Sequence, residues 1–252
     1  MLAPRREATA REVVEEVAGA PLAGTTARCQ AGGMRLTHLG HSTLLVEAGG
    51  ARVLVDPGAF TPGWEELRDL DAVVVTHAHP DHLDPAEGRF EALRDANPGA
   101  RLLFEPQTAA DGRWGAEALA PGTSTDVAGL PLRAVGGEHA VIHEDIPLVG
   151  NVGVLLGGEG GEPVLFHPGD AYTETPPGVD VLALPLAAPW AALKETVTFL
   201  RAVAPRVVVP VHDGVVSAPG RSVYLRQVDA LGPEGTQVLD LAGAGATDVP
   251  AA

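Results

Sequence analysis

The stretch THAHPDH, residues 76–82, follows the apolar run Ala72-Val73-Val74-Val75. A segment that reads as a buried strand thus ends in three histidines and an aspartate. Pro80 takes the chain out of regular structure there, because it lacks an amide hydrogen and restricts its predecessor. In extended chain, residues two apart project to the same side, so His77 and His79 are placed to grip one ion. Asp81 and His82 then turn toward a second. Imidazole and carboxylate suit borderline and hard divalent metals, and no thiolate competes here. The competing reading is a polar loop that happens to be rich in histidine.

Further ligands for a two-metal site stand at comparable places. His139 follows the strand-like LPLRAV (130–135) and an expected turn at Gly136-Gly137. Asp170 closes HPGD (167–170) after PVLF, and His212 ends the run RVVVPV (206–211). In each case an apolar strand delivers a ligand at its end, where rigid bodies can hold converging side chains.

The surrounding pattern alternates short strands with turns and helices. TLLVEA (43–48) and ARVLVDP (51–57) flank Gly49-Gly50, a hairpin signal. WEELRDL (64–70) reads as a short helix, as do AEGRFEALRDAN (86–97), about 190–203 and about 222–231. RLLFEP, NVGVLLGG, VDVLALPL and TQVLDL supply more strands. Strands outnumber helices and helices recur in both halves. The expected fold is therefore an α/β sandwich of two sheets with helices on the outer faces. Residues 1–33 read as an N-terminal extension, with a helix packed on the domain as the alternative. The domain is expected over 34–245, followed by a tail at 246–252.

Composition excludes several function classes. The chain has 252 residues, a formal charge of −16, and no local cluster of Lys or Arg to offset it. Such a surface repels phosphate backbones, so nucleic acid is not an expected partner. The single cysteine, Cys29, excludes intrachain disulfides and cysteine-rich metal sites. No segment approaches eighteen uninterrupted apolar residues, so no membrane span is expected. Glu7, Glu12, Glu15 and Glu16 stand where a signal peptide would be apolar, which gives a cytoplasmic expectation.

THAHPDH, His139, Asp170 in HPGD and His212 in PVHD together resemble the metallo-β-lactamase superfamily, from about Met34 to Gly245. The resemblance implies a four-layer αββα sandwich of two mixed β-sheets flanked by helices. It implies His77, His79 and His139 on one metal and Asp81, His82 and His212 on a second, with Asp170 bridging both. The segment LGHSTLLVEAGGARVLVDPG (39–58) looks like the branch of L-ascorbate-6-phosphate lactonase-like proteins and N-acyl-phosphatidylethanolamine phospholipase D.

Two divalent ions, Zn²⁺ first with Mn²⁺ or Fe²⁺ as alternatives, would acidify a shared water to hydroxide near neutral pH. That hydroxide would cleave a small ester, lactone or phosphodiester, with Asp81 orienting it. Asp56 in VLVDPG is either a carboxylate fixing a histidine tautomer or a turn-former before Pro57-Gly58. His143 rivals His139 as ligand, or lines the pocket and donates a proton to the leaving group. His41 in GHST is expected at the cavity rim, against a hydrogen-bonded strand-end histidine. His167 reads as structural, and His38 as facing outward. Lys194, the only lysine, is either an anion clamp or a solvated helix-face residue. Trp190 either walls the pocket or packs at a helix start. Two other functional classes compete: an iron-dependent redox protein of the same fold, and a non-catalytic metal-binding protein. Homo-oligomer formation is left open.

Overall fold

The computed structural model describes residues 32–159 and 161–250. The expected extension falls almost wholly outside the described residues, among which β1 (Met34–Gly40) is the first strand, followed by β2 (Thr43–Ala48) and β3 (Ala51–Val55). Ala48 pairs with Ala51 across Gly49-Gly50, both at positive φ (58° and 88°). That two-residue turn matches the strand twist and is open to glycine at little cost. The sheet continues in β4 (Ala72–Val75), β5 (Arg101–Phe104) and β6 (Glu117–Ala118). A second sheet takes β7 (Ser124–Val127), β8 (Leu130–Glu138), β9 (Gly150–Leu156), β10 (Leu165–His167), β11 (Val181–Pro185), β12 (Val207–Val211) and β13 (Gln237–Val238). The closing strand β14 (Thr247–Asp248) returns to pair with β1. Part of the expected tail at 246–252 therefore belongs to the first sheet. A two-residue edge strand is too short to show a period-2 pattern.

The two sheets share one plan. In the first, β14, β1, β2 and β3 pair antiparallel, and β3 to β6 pair parallel. In the second, β7 to β10 pair antiparallel, and β10 to β13 pair parallel. Parallel strands need crossovers, and α-helices supply four of the six: α1 (Arg89–Ala96), α2 (Pro106–Ala110), α3 (Leu193–Val203) and α4 (Ala218–Leu231).

Side-chain alternation sorts these strands into layers. Ala72 and Val74 of β4 face the core between the sheets, while Val73 and Val75 face an outer cluster with Phe90 and Leu93 of α1. On β12, Val207, Val209 and Val211 enter the central core, and Val208 meets Phe199 and Leu200 of α3. Burial on both faces explains why these strands read as unbroken apolar runs. The result is two mixed sheets flanked by helices, as the sequence led us to expect. WEELRDL yields only a 3₁₀ turn at Trp64–Glu66, and TQVLDL pairs only at Gln237–Val238. Gly136 and Gly137 do not form a turn. They continue β8, paired with Val152 and Asn151, and carry the strand on to His139.

Candidate metal centre

Four strand ends meet at one edge of the sandwich. His77 follows β4, His139 follows β8, Asp170 follows β10 and His212 follows β12. The chain between His79 and Leu83 makes a tight turn, with His82 and Leu83 amides both donating to His79 O at 2.9 Å. Gly58 packs behind this turn so closely that a Cβ there would lie 1.8 Å from Asp81 O. Two groups result, in each of which the potential ligand atoms lie within 4.8 Å of one another: His77, His79, His139, Asp170, and His41, Asp81, His82, His212.

Asp170 stands between them. Its Oδ1 is 3.1 Å from His82 Nε2, and its Oδ2 is 3.1 Å from His212 Nε2 and 3.4 Å from His139 Nε2. Trp190 Nε1 donates to the same Oδ2 at 2.8 Å, and its ring lies 6.1 Å from that of His139. Trp190 therefore holds a carboxylate of the site as well as walling it. Asn151, buried on β9, accepts from the Asp170 amide at 2.9 Å and so fixes the backbone that carries the carboxylate.

The hydrogen bonds around the rings assign their tautomers. His82 Nδ1 donates to Asp56 Oδ2 at 2.7 Å, His139 Nδ1 to Ala140 O at 2.5 Å, and His212 Nδ1 to Ala187 O at 2.7 Å. Thr76 Oγ1 gives its proton to Asp56 Oδ2, so it accepts from His77 Nδ1 at 3.0 Å. In its neutral form each of these four imidazoles thus presents an Nε2 lone pair to the interior. His79 Nδ1 completes the set, 3.1 Å from His77 Nε2. His139 Nε2 and Asp170 Oδ1 are buried without a hydrogen-bond partner. Buried polar atoms without partners are costly. Outer acceptors on the far nitrogen with a lone pair facing inward are what histidine ligands require. The residues therefore fit divalent cations.

Electrostatics point the same way. Burial would raise Asp81 and Asp170, but neighbouring imidazoles outweigh it: Asp81 falls to about 2 and Asp170 well below the carboxylate range. Burial would lower His82, yet Asp170 and Asp56 drive it well above its ordinary value. His77 has no comparable support, and burial together with the charge on His82 takes it well below. The carboxylates gather positive charge in a place where histidines are poorly solvated. Cations would satisfy both.

The remaining expected residues separate clearly. Asp56, fully buried, combines both readings: it takes positive φ (51°) before Pro57, and accepts from Thr76 N, Thr76 Oγ1 and His82. His41 lies inside the site rather than at its rim. Its Nδ1 accepts from Gly214 N at 3.0 Å, which leaves Nε2–H to donate to Asp81 Oδ2, also at 3.0 Å. His41 thereby differs from the other histidines in offering the centre a proton. His143 is not brought to either group. Its side chain is 59% exposed on the loop after His139, where it lines a cavity. Lys194 is exposed on α3 and outside the residues lining that cavity, in keeping with a solvated helix face. His167 is buried beneath the site and accepts from Gly169 N at 3.2 Å. His38 does not face outward; it is buried, with Nε2 donating to His41 O at 2.7 Å. Thr76 and Asn151 join the site although the sequence reading names neither as a site residue. Thr76 opens the THAHPDH motif, whereas nothing in the sequence around Asn151 marks it.

Residues 35–212 match the beta-lactamase superfamily domain, and the chain belongs to that family. It is 44% identical over 206 residues to protein Rv0786c of Mycobacterium tuberculosis, covering 82% of this chain and 96% of that one. It is 29% identical over 222 residues to the UPF0173 metal-dependent hydrolase MK1542 of Methanopyrus kandleri, covering 79% and 93% of the two chains. Among solved structures, Igni18, a metallo hydrolase of the archaeon Ignicoccus hospitalis, superposes with a TM-score of 0.63 at 19% identity, covering 87% of this chain and all of that one. Among the described residues, no helix is long and apolar enough to cross a membrane.

Proposed function

We propose that this chain is a binuclear metal-dependent hydrolase acting on a small ester, lactone or phosphodiester. His77, His79 and His139 would hold one divalent ion, Asp81, His82 and His212 the other, and Asp170 would lie against both. One observation carries the reading: four imidazoles have Nδ1–H bound to protein acceptors and Nε2 aimed at a shared interior around Asp170. Ions held there would supply a water acidic enough to lose its proton near pH 7, and electrophilic help at the bond that breaks.

The protein's own groups do the rest. Asp81, ionised down to about pH 2, receives the His41 proton on one oxygen and can orient the attacking water with the other. Trp190 and Asn151 keep Asp170 from rotating. His143, beside the open cavity, is placed to hand a proton to the leaving group. The GHST segment (40–43) supports a place near the lactonase-like branch, since His41 and Ser42 both border His82 or Asp81. The names of relatives, metal-dependent hydrolases among them, accord with this reading.

Metal content by mass spectrometry tests it, on wild type and Asp170→Ala. The expected result is about two ions per wild-type chain and at most one in the variant. Zinc or manganese with turnover of simple esters supports the hydrolase. Iron without hydrolysis would favour redox chemistry, and a folded protein that holds no metal would overturn the proposal.

A further inference from the structure

The cavity beside the metal centre has a volume of about 470 Å³, with His79 and His139 at its floor and the loop 140–149 as its wall. That size accommodates a small organic ligand. Its lining contains no lysine or arginine among the described residues, and its charged side chains other than histidine are Glu144 and Asp145. The nearby arginine on α4, Arg221, is committed to Asp213 and Asp240 at 2.6–2.8 Å. Recognition of a phosphate or carboxylate calls for a guanidinium or ammonium partner. Here the wall offers negative charge instead, on a chain of net charge −16.

The apolar surface is distributed just as unevenly. Seven large hydrophobic residues are exposed among the described residues, and five of them surround this edge. Val141, Ile146 and Leu148, at 67%, 47% and 49% exposure, belong to the cavity wall. Phe60 stands 5.1 Å from the His41 ring, and Val215 follows Gly214, whose amide binds His41. Exposed apolar side chains gathered at one site mark a binding surface, whereas the same residues scattered singly would mean nothing.

Building on the hydrolase reading above, we propose that the substrate is an uncharged carboxylic ester or lactone whose apolar chain lies along the 140–149 loop. Glu144 and Asp145 on the wall disfavour a phosphate or carboxylate on that chain. In the reaction, the water oxygen bonds to the acyl carbon and the acyl C–O bond breaks. The departing oxygen takes a proton from His143, which is replaced by the one the attacking water gives up, giving acid and alcohol. Each methylene that leaves water for the wall raises kcat/KM by up to about fourfold.

The test compares the zinc-loaded protein on matched 4-nitrophenyl esters: acetate, butyrate, octanoate and the anionic hemisuccinate, with bis(4-nitrophenyl) phosphate alongside. The expected result is a kcat/KM at least about tenfold higher for octanoate than for acetate, with hemisuccinate and phosphate lowest. Val141→Asp and Leu148→Asp, both at exposed positions, should keep metal content and melting temperature while the octanoate-to-acetate ratio falls several-fold. A rate independent of chain length, or highest for an anionic ester, overturns this inference and leaves the hydrolase intact. So does co-sedimentation with phosphatidylcholine vesicles that Val141→Asp abolishes with ester selectivity unchanged, which would make the edge a membrane contact. No turnover of any of these esters by protein with its metal bound overturns the hydrolase and this inference together.

Discussion

Asp56 shows how much one buried carboxylate can organise. Three donors end on it, two from Thr76 and one from His82. It occupies the left-handed region to do so, as do His41 (φ 46°) and His212 (φ 55°). Six non-glycine residues among those described share that conformation, and three of them sit at this centre. Strain of this kind, worth about 1–3 kcal/mol per residue, persists where surrounding contacts over-determine it. The brace is visible: His212 N donates to His41 O at 2.7 Å, and His38 donates to the same oxygen. Asp56→Asn should keep the turn but present an amide where His82 and Thr76 need acceptors. The expected outcome is a roughly 10- to 100-fold weaker metal affinity with the fold retained, measured by metal titration and circular dichroism. Unchanged affinity would show that the His82 tautomer is set elsewhere. At this scale the sequence was informative where candidate ligands cluster within a motif, as in THAHPDH. It was silent on Asn151, because a buried amide that holds a backbone leaves no pattern in its neighbours.

Elements deliver these residues, and the helices after them hold the delivery in place. Past His212 the chain turns through Asp213 and Gly214 into α4, whose Arg221 reaches back to Asp213 and across to Asp240. The bond from Arg221 is the main reason Asp240 lies below its ordinary value of 3.8. A carboxylate lowered on folding adds stability that is complete above its unfolded pKa and lost as pH falls through its folded one. Arg221→Ala should therefore lower stability by about 1 kcal/mol near pH 6, and the difference should shrink below about pH 4. Urea unfolding at both pH values checks this, and a gap that persists at pH 3 would mean the side chain acts through packing. Unbroken apolar strands such as β4 and β12 were plain in the sequence because both their faces are buried. Residues 106–129 were opaque for the opposite reason. They contain α2, five residues long, the two-residue β6 and β7 of four residues. None of them repeats its period enough times, or carries enough apolar residues, to stand out in the sequence. Gly136-Gly137 misled because paired glycines usually signal a turn, yet here their partners on β9 keep them in the sheet.

At the level of the molecule, the centre lies where the two sheets meet, tied by Val152 N to Thr76 O and His212 N to His41 O, at 2.9 and 2.7 Å. Cations bound there would favour the folded state alone, since the unfolded chain scatters their ligands. With free metal at about a thousand times Kd, the gain is about 4 kcal/mol, or roughly 10 °C in melting temperature for a chain this size. Scanning calorimetry before and after chelation should show that drop and its reversal on adding zinc. Equal midpoints would argue against metal bridging the sheets. The sandwich itself was legible because seven-stranded sheets with helical crossovers leave strand runs and helical patterns throughout the chain. The matching order of the two sheets carries a further consequence. Apart from β14, each sheet is drawn from one unbroken half of the polypeptide, with the first half ending at β6 and the second starting at β7. His77, His79, Asp81 and His82 lie on the first half, and His139, Asp170 and His212 on the second. Neither half carries a full set of the proposed ligands. Metal capture by that set would be a joint property of two separately laid-down pieces, so during synthesis it would come only once the later half has docked on the earlier one.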